Sequence, residues 1–188
     1  MRVIAGVARG RPLLSPRGRR VRPTSDRVRQ SLMDILAART AGRAWLDLYA
    51  GSGSVGIEAL SRGAGPVVFV ERDPQACRAL LANLQRTGLA RGAEVRQQSV
   101  ERALAELAAQ GRRFDVIFAD PPYGQGEVEA TLARVAAAGV LQGDGLLVIQ
   151  HSSRERPEPG GAWTVVREVR FGETQLTILA PQRREAAP

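Results

Sequence analysis

Trp45 to Ala50 is an apolar run broken once, by Asp47, and it leads straight into Gly51-Ser52-Gly53-Ser54-Val55-Gly56. Ile57 to Leu60 then begin a helix. No other stretch constrains the fold as much as this order of strand, glycine loop and helix. Glycines at this spacing let backbone N–H groups at a helix N-terminus approach a ligand closely. Such a unit belongs to an open, mostly parallel sheet with helices on both faces. It also asks for an acidic residue at the end of the next strand, about 20 residues on, to hold ribose hydroxyls. Glu71, closing Val67-Val68-Phe69-Val70, meets that demand.

Nicotinamide dinucleotides and S-adenosylmethionine both use this pattern, and Asp47 separates them. A carboxylate just before the glycines repels a pyrophosphate. It attracts a cationic amino acid moiety, and S-adenosylmethionine carries an ammonium and a sulfonium. A helix cap or a salt bridge is the plainer role for the same residue.

Asp120-Pro121-Pro122-Tyr123 follows a second apolar run, Phe114 to Ala119. Pro fixes φ and lacks an N–H, and the residue before it is held extended. The turn is therefore stiff, and the Asp120 and Pro121 carbonyls remain free acceptors. With a carboxylate and a flat ring beside them, they suit a planar group bearing an amino function, such as a nucleobase. Strand carboxyl ends are where open α/β sheets bind ligands.

The rest of the chain alternates in the same way. Strands are expected at Ala44 to Tyr49, Val67 to Glu71, Glu94 to Gln97, Phe114 to Ala119 and Gly145 to Gln150. Helices are expected at Ser54 to Ser61, Pro74 to Thr87, Val100 to Ala109 and Glu127 to Ala138. Trp163 to Phe171 and Thr174 to Ala180 then form a hairpin around Gly172-Glu173. At the other end, Arg2 to Ala8 alternates, Gly10-Arg11-Pro12 turns, and Leu13-Leu14 could pair back. Pro23-Thr24-Ser25-Asp26 starts a helix with Val28, Leu32, Ile35 and Leu36 on its apolar stripe and Arg27 and Arg29 off it. The expected division is a basic arm over 1–22, one α/β domain over 23–181, and a frayed tail over 182–188.

Charge sharpens the reading of the arm. Net charge is +8, and all 27 basic residues are Arg. Nine of them lie between Met1 and Arg29 against one acid, Asp26, so this segment carries 9 − 1 = +8. The remaining 18 Arg balance 18 acids. A concentrated basic arm is the electrostatic footprint of a nucleic-acid binder, and Arg grips phosphates bidentately. Arg2, Arg9, Arg11, Arg17, Arg19, Arg20 and Arg22 are the candidate nucleic-acid contacts. One cysteine, Cys77, precludes an internal disulfide and reads as a buried spectator. One histidine, His151, argues against a multi-His metal site, so no metal is expected. His151 follows the fifth strand, where it could stand at the surface or at the substrate rim. No apolar run reaches membrane-spanning length, and a cytoplasmic location fits.

Together these residues resemble the class I S-adenosylmethionine-dependent methyltransferases, a Rossmann-like fold with a seven-stranded, mostly parallel sheet and an antiparallel C-terminal hairpin. Asp-Pro-Pro-Tyr looks like the motif of the branch that methylates exocyclic nitrogens of nucleobases. Arg2-Val3-Ile4-Ala5-Gly6, Arg9-Gly10-Arg11, Arg22-Pro23-Thr24-Ser25-Asp26-Arg27-Val28-Arg29 and Asp47-Leu48-Tyr49-Ala50-Gly51-Ser52-Gly53 narrow the resemblance. They are similar to the bacterial RsmD family, which methylates guanine N2 in 16S ribosomal RNA.

The resemblance implies S-adenosyl-L-methionine as donor, S-adenosyl-L-homocysteine as product, and 16S rRNA of the assembled or assembling 30S subunit as the partner of a monomer. It implies that Asp47 and the Gly51 and Gly53 backbone hold the methionine part of the donor, with Thr24 and Asp26 closing over that end, and that Tyr49 and Ala50 also belong to the cofactor site. Glu71 would take the ribose, Arg72 would flank the adenine, and Ser99 and Val100 would lie at its edge. Ser99 departs from the Asp common in the superfamily. Asp120, Pro121, Pro122 and Tyr123 would hold the target base. Three other readings compete: a DNA adenine-N6 methyltransferase, a non-catalytic RNA-binding assembly factor of the same fold, and a nicotinamide dehydrogenase. The last lacks a hydride-transfer pair.

Overall fold

The computed structural model describes residues 1–15, 25–122, 124, 126–155 and 157–182. Its strands are β1 (Trp45–Leu48), β2 (Val67–Glu71), β3 (Ala93–Gln97), β4 (Phe114–Ala119), β5 (Leu141–Ser152), β6 (Trp163–Phe171) and β7 (Thr174–Pro181). Its helices are α1 (Asp26–Ile35), α2 (Ser54–Ser61), α3 (Pro74–Thr87), α4 (Val100–Ala109) and α5 (Glu127–Ala138). Among the described residues the strands form one sheet in the order β3-β2-β1-β4-β5-β7-β6. The first five run parallel, β7 pairs antiparallel with β5, and β6 pairs antiparallel with β7. This is the Rossmann-like architecture with the late hairpin that the alternation predicts.

Strand alternation sorts the core into two layers. Trp45, Val67, Phe69, Val116 and Phe118 pack with α1, α2 and α3. Leu46, Leu48, Val68, Val70 and Ile117 pack with α4 and α5 on the opposite face. Three of the helices start at a side-chain cap. The Asp73 carboxylate accepts the Gln75 and Ala76 N–H groups at 2.7 and 3.0 Å, Pro74 opens α3, and left-handed Gly88 ends it. Ser25 and Ser99 cap α1 and α4 in the same way.

Four expectations are corrected. β5 begins at Leu141, earlier than Gly145, because its register against β4 shifts between Phe114 and Val116 and absorbs the polar residues 142–144. The N-terminal segment does pair back, with the Leu13 N–H donating to the Met1 carbonyl and the Val3 N–H to the Arg11 carbonyl, both at 3.0 Å, but it makes a single antiparallel bridge, Arg2 to Pro12, and its turn falls over 7–10, ahead of Gly10-Arg11-Pro12. Docking supplements this short pairing. Glu58 on α2 accepts the Ile4 and Ala5 N–H groups at 2.8 and 3.0 Å, and the Ser61 Oγ accepts that of Ala8 at 3.0 Å. Gly6 lies against the Ser61 carbonyl so closely that a Cβ would sit 1.8 Å from it.

Arg29 does not lie off the apolar stripe but is fully buried. Its guanidinium donates to the Arg2 carbonyl at 2.5 Å and to Asp26 at 3.1 Å, 3.7 Å from Glu58. It ties the arm to the domain, and burial lowers its pKa below the ordinary value. His151 is likewise no rim residue. It is fully buried, with Nε2 2.9 Å from Thr177 Oγ1 and Nδ1 donating to the Ser152 carbonyl at 2.9 Å. Cys77 is a buried spectator, its thiol pushed up to about 11 by burial.

Candidate active site

The sheet order reverses direction at β1. From β1 the chain steps outward to β2 and β3, then crosses to β4 on the other side. The loops after β1 and β4 therefore diverge, and open a crevice at the strands' carboxyl ends. Register sets Asp47 opposite Phe118 and Leu48 opposite Ala119. The residues that follow, Tyr49-Ala50-Gly51 and Asp120-Pro121, leave the sheet side by side. The glycine loop and the proline tetrapeptide, 64 residues apart in sequence (120 − 56), meet only through this crossover.

The glycine loop is held from several sides. Gly51 and Gly53 adopt left-handed backbone, φ +56° and +81°, which L side chains rarely enter. A Cβ on Gly51 would meet open space, so the loop faces outward there. A Cβ on Gly53 would strike Leu80 at 2.1 Å, so that glycine lets the loop seat on α3. Tyr49 is also left-handed, at φ +58°, and its hydroxyl lies 2.8 Å from Thr131 Oγ1 on α5. A non-glycine residue held there is strained, a condition that surrounding structure must impose. Glu71 reaches across from β2: one carboxylate oxygen accepts the Gly51 N–H at 2.8 Å, the other that of Asp73 at 2.7 Å.

Asp47 faces the α2 side and is 1% exposed. Its Oδ2 accepts the Gly56 N–H at 2.9 Å, so it caps α2 from beneath. Gly56 permits this, since a Cβ would lie 2.3 Å from the Phe69 ring. Burial raises the Asp47 pKa from 3.8 to about 7, opposed by the Gly56 hydrogen bond and reinforced by the charges of Asp120 and Glu71. Asp120, half-buried at the end of β4, is also raised to about 7 by burial, and a hydrogen bond from Gln150 on β5 opposes the rise. Three carboxylates at three adjacent strand ends thus repel one another in a poorly solvated crevice. That arrangement favours a cation.

The other expected site residues are distributed as follows. Arg72 is exposed just past β2. Ser99 is exposed, and its Oγ accepts the Arg102 N–H at 3.3 Å, while Val100 is buried beside it. Ala50 is buried and donates its N–H to the Val70 carbonyl at 3.0 Å. Pro121 is buried and Pro122 exposed. Asp26 opens α1 and pairs with Arg29. Arg2, Arg9 and Arg11 have exposed side chains on the docked arm. Thr24, Tyr123, Arg17, Arg19, Arg20 and Arg22 lie outside the described residues.

Two positioning residues escape a reading of motifs. Gln150 gives no sequence signal, because any residue near the end of β5 could face β4. Asn83 does give one: it is an amide inside the stripe Ala76, Cys77, Leu80, Leu84. It is fully buried, donates to the Ser52 carbonyl at 2.9 Å, and exchanges two hydrogen bonds with Leu14 at 2.7 and 3.0 Å. The arm and the glycine loop are thus held by one side chain.

The Asp47 environment carries a pH prediction. With a folded pKa of about 7 against 3.8, its contribution to stability is fully present below about pH 4 and is lost as pH rises through 7. Asp47→Asn keeps an oxygen for Gly56 and removes the ionisation cost. The variant should melt above the parent at pH 8, and the gap should close toward pH 4 to 5. Thermal melts at both pH values check this; a variant that melts lower at pH 8 would show an ionised carboxylate stabilised by the fold.

Residues 1–180 match the family described as Conserved hypothetical protein 95. Ribosomal RNA small subunit methyltransferase D of Escherichia coli K12 is 34% identical over 179 residues, covering 95% of this chain and 88% of the relative. The solved structure of a hypothetical protein from Thermus thermophilus superposes with a TM-score of 0.84 at 38% identity, over 96% of this chain and 99% of that one. A distant methyltransferase structure complexed with SAH shares the fold alone, at 14% identity and a TM-score of 0.65, over 81% of this chain and 48% of its own. Matched over nearly its whole length, the chain belongs to the Conserved hypothetical protein 95 family, that of ribosomal RNA small subunit methyltransferase D.

Proposed function

We propose that this protein is an rRNA methyltransferase, which transfers a methyl group from S-adenosyl-L-methionine to the exocyclic N2 of a guanine in 16S rRNA, as a cytoplasmic monomer acting on the 30S subunit. The observation that carries the reading is Asp120, half-buried and raised to about 7 beside Asp47 and Glu71, across the crevice from an outward-facing glycine loop. The names of its relatives supply the rRNA.

The donor fits the crevice by charge. Asp47 and Glu71 provide negative potential, and Gly51 leaves open space for close approach. When bound, S-adenosyl-L-methionine supplies an electrophilic methyl on a sulfonium and leaves as S-adenosyl-L-homocysteine. The protein's task lies on the other reactant. Guanine N2 is a poor nucleophile, because its lone pair is delocalised into the ring. The Asp120 carboxylate and the Pro121 carbonyl can accept its two N–H groups, which favours a lone pair directed at the methyl. The methylated nitrogen then sheds a proton, and a carboxylate near pKa 7 can take it. Alignment and fixed dipoles account for the rest of the rate. The base has to leave its stack to reach the crevice.

Labelled donor incubated with unmodified 30S subunits, or with naked 16S rRNA, tests the proposal. Mapping should find N2-methylguanosine at one site. Methyladenine in DNA, or donor binding without transfer, would overturn it. Gel filtration against standards tests the monomer.

Gln150 adds a pH test. Its hydrogen bond favours the ionised Asp120. Gln150→Leu should move the acid limb of kcat/KM upward by about one pH unit, the scale of a hydrogen bond to a charge. An unmoved limb would mean that another group titrates.

A further inference from the structure

The loop after β4 has a second tether, on the target side of the crevice. Prolines at 121 and 122 remove two N–H groups that could have anchored the turn. The Gly124 N–H, two residues beyond, donates to Glu155 Oε1 at 2.7 Å. The other oxygen, Oε2, accepts the Ser152 N–H at 3.0 Å, and the Glu155 N–H returns a bond to the Ser152 carbonyl at 3.0 Å. One carboxylate thus spans the exits of two neighbouring parallel strands, β4 and β5.

Its own segment is fixed from behind. The Ser153 N–H donates to the Glu173 carbonyl at 2.8 Å, Ser153 Oγ donates to the Gly172 carbonyl at 3.1 Å, and Arg154 pairs with the Glu173 carboxylate at 3.0 Å. The turn between β6 and β7 therefore braces the segment that carries Glu155. Gly124 itself is left-handed, at φ +82°, a conformation glycine enters without strain, which turns its N–H toward Glu155. Gln150, on the same strand end, bonds the Asp120 side chain. The end of β5 reaches the tetrapeptide loop twice, once at its acid and once just past its aromatic residue.

We infer that Glu155 is a positioning residue for methyl transfer, which fixes the backbone after Asp120-Pro121-Pro122 so that the target base is presented at one angle. This rests on the assignment of that tetrapeptide to the target amine. The donor-binding groups follow β1 and β2, so the effect should divide: turnover should suffer and donor affinity should not.

The test compares Glu155→Ala, Glu155→Gln and Asp120→Ala in the full chain, on 30S subunits or 16S rRNA. Single-turnover rate, donor Kd by calorimetry and melting temperature are read for each. Glu155→Ala should lose ~30-fold in rate, the scale of a small misplacement of reacting groups, while donor Kd and melting stay near those of the parent. Glu155→Gln keeps one acceptor oxygen and should fall between the two. A parental rate in Glu155→Ala, with Asp120→Ala collapsed, would overturn the role of Glu155 alone. Parental rates in both would sink the tetrapeptide assignment, and the inference with it. Loss of donor affinity together with melting temperature would make Glu155 a structural stitch and overturn the positioning role.

Discussion

Asp120→Ala is expected to cut single-turnover methyl transfer by about 10³-fold, the upper range for removing a preset group aimed at a reacting centre. Donor affinity should stay close to the parent's, or rise. The carboxylate belongs to the target side of the crevice, and its removal relieves repulsion on Asp47. The loss should therefore appear in kcat and kcat/KM together, as for an interaction made only in the transition state. Asp120→Asn retains one acceptor but cannot take a proton, so its rate should fall between the two. A calorimetric donor titration beside a rapid-quench rate distinguishes these cases. A rate near the parent's in Asp120→Ala would overturn the assignment of this loop to the target amine.

The second large effect concerns the N-terminal segment. Deleting residues 1–14 removes the buried side chains of Val3, Ala8 and Leu13 from the core beside α1 and α2. It also strips the backbone partners of Glu58, Ser61, Asn83 and Arg29, all buried. Losing the buried Val3 and Leu13 side chains alone costs about 1.5–3 kcal/mol each. The truncated chain should melt more than ~10 °C below the parent, given about 2–4 °C per kcal/mol in a domain of this size. Donor affinity should fall with it, because Asn83 also holds the Ser52 carbonyl.

Replacing Arg2, Arg9 and Arg11 by Ala should do neither, since only the Arg2 carbonyl is engaged in docking and all three side chains are exposed. If those side chains grip phosphates, RNA affinity should weaken and the slope of log K against log salt should become shallower by about 2. Melting curves of the truncation and salt titrations of the triple variant separate docking from charge. A truncated protein with parental melting and donor affinity would contradict the docked arrangement.

How much of this is legible in the sequence follows from the range of the physics involved. Strand and helix positions are local: periods of 2.0 and 3.6, caps such as Asp73-Pro74, and left-handed glycines write themselves into neighbouring residues. The glycine loop, Asp47, Glu71 and Asp120 are visible for the same reason, since each sits where a strand ends. Their meeting is not local. It depends on the crossover from β3 to β4, which sets Leu48 beside Ala119.

Other features have no local signature at all. Arg29 reads as solvent-facing because charge is normally excluded from an apolar stripe, yet the docked arm buries it under the Arg2 carbonyl. The arm itself reads as an electrostatic tail. Its charge is a property of composition, whereas its docking depends on Glu58, Ser61 and Asn83 coming from 53 to 69 residues farther along to satisfy its backbone. Gln150 and Glu155 reach Asp120 and Gly124 only because β5 lies beside β4. Sequence by itself determined which groups stand at the strand ends and which chemistry they can support. Tertiary structure decided which of them face one another, and how deeply each is withdrawn from water, because burial and proximity exist only once distant segments have packed.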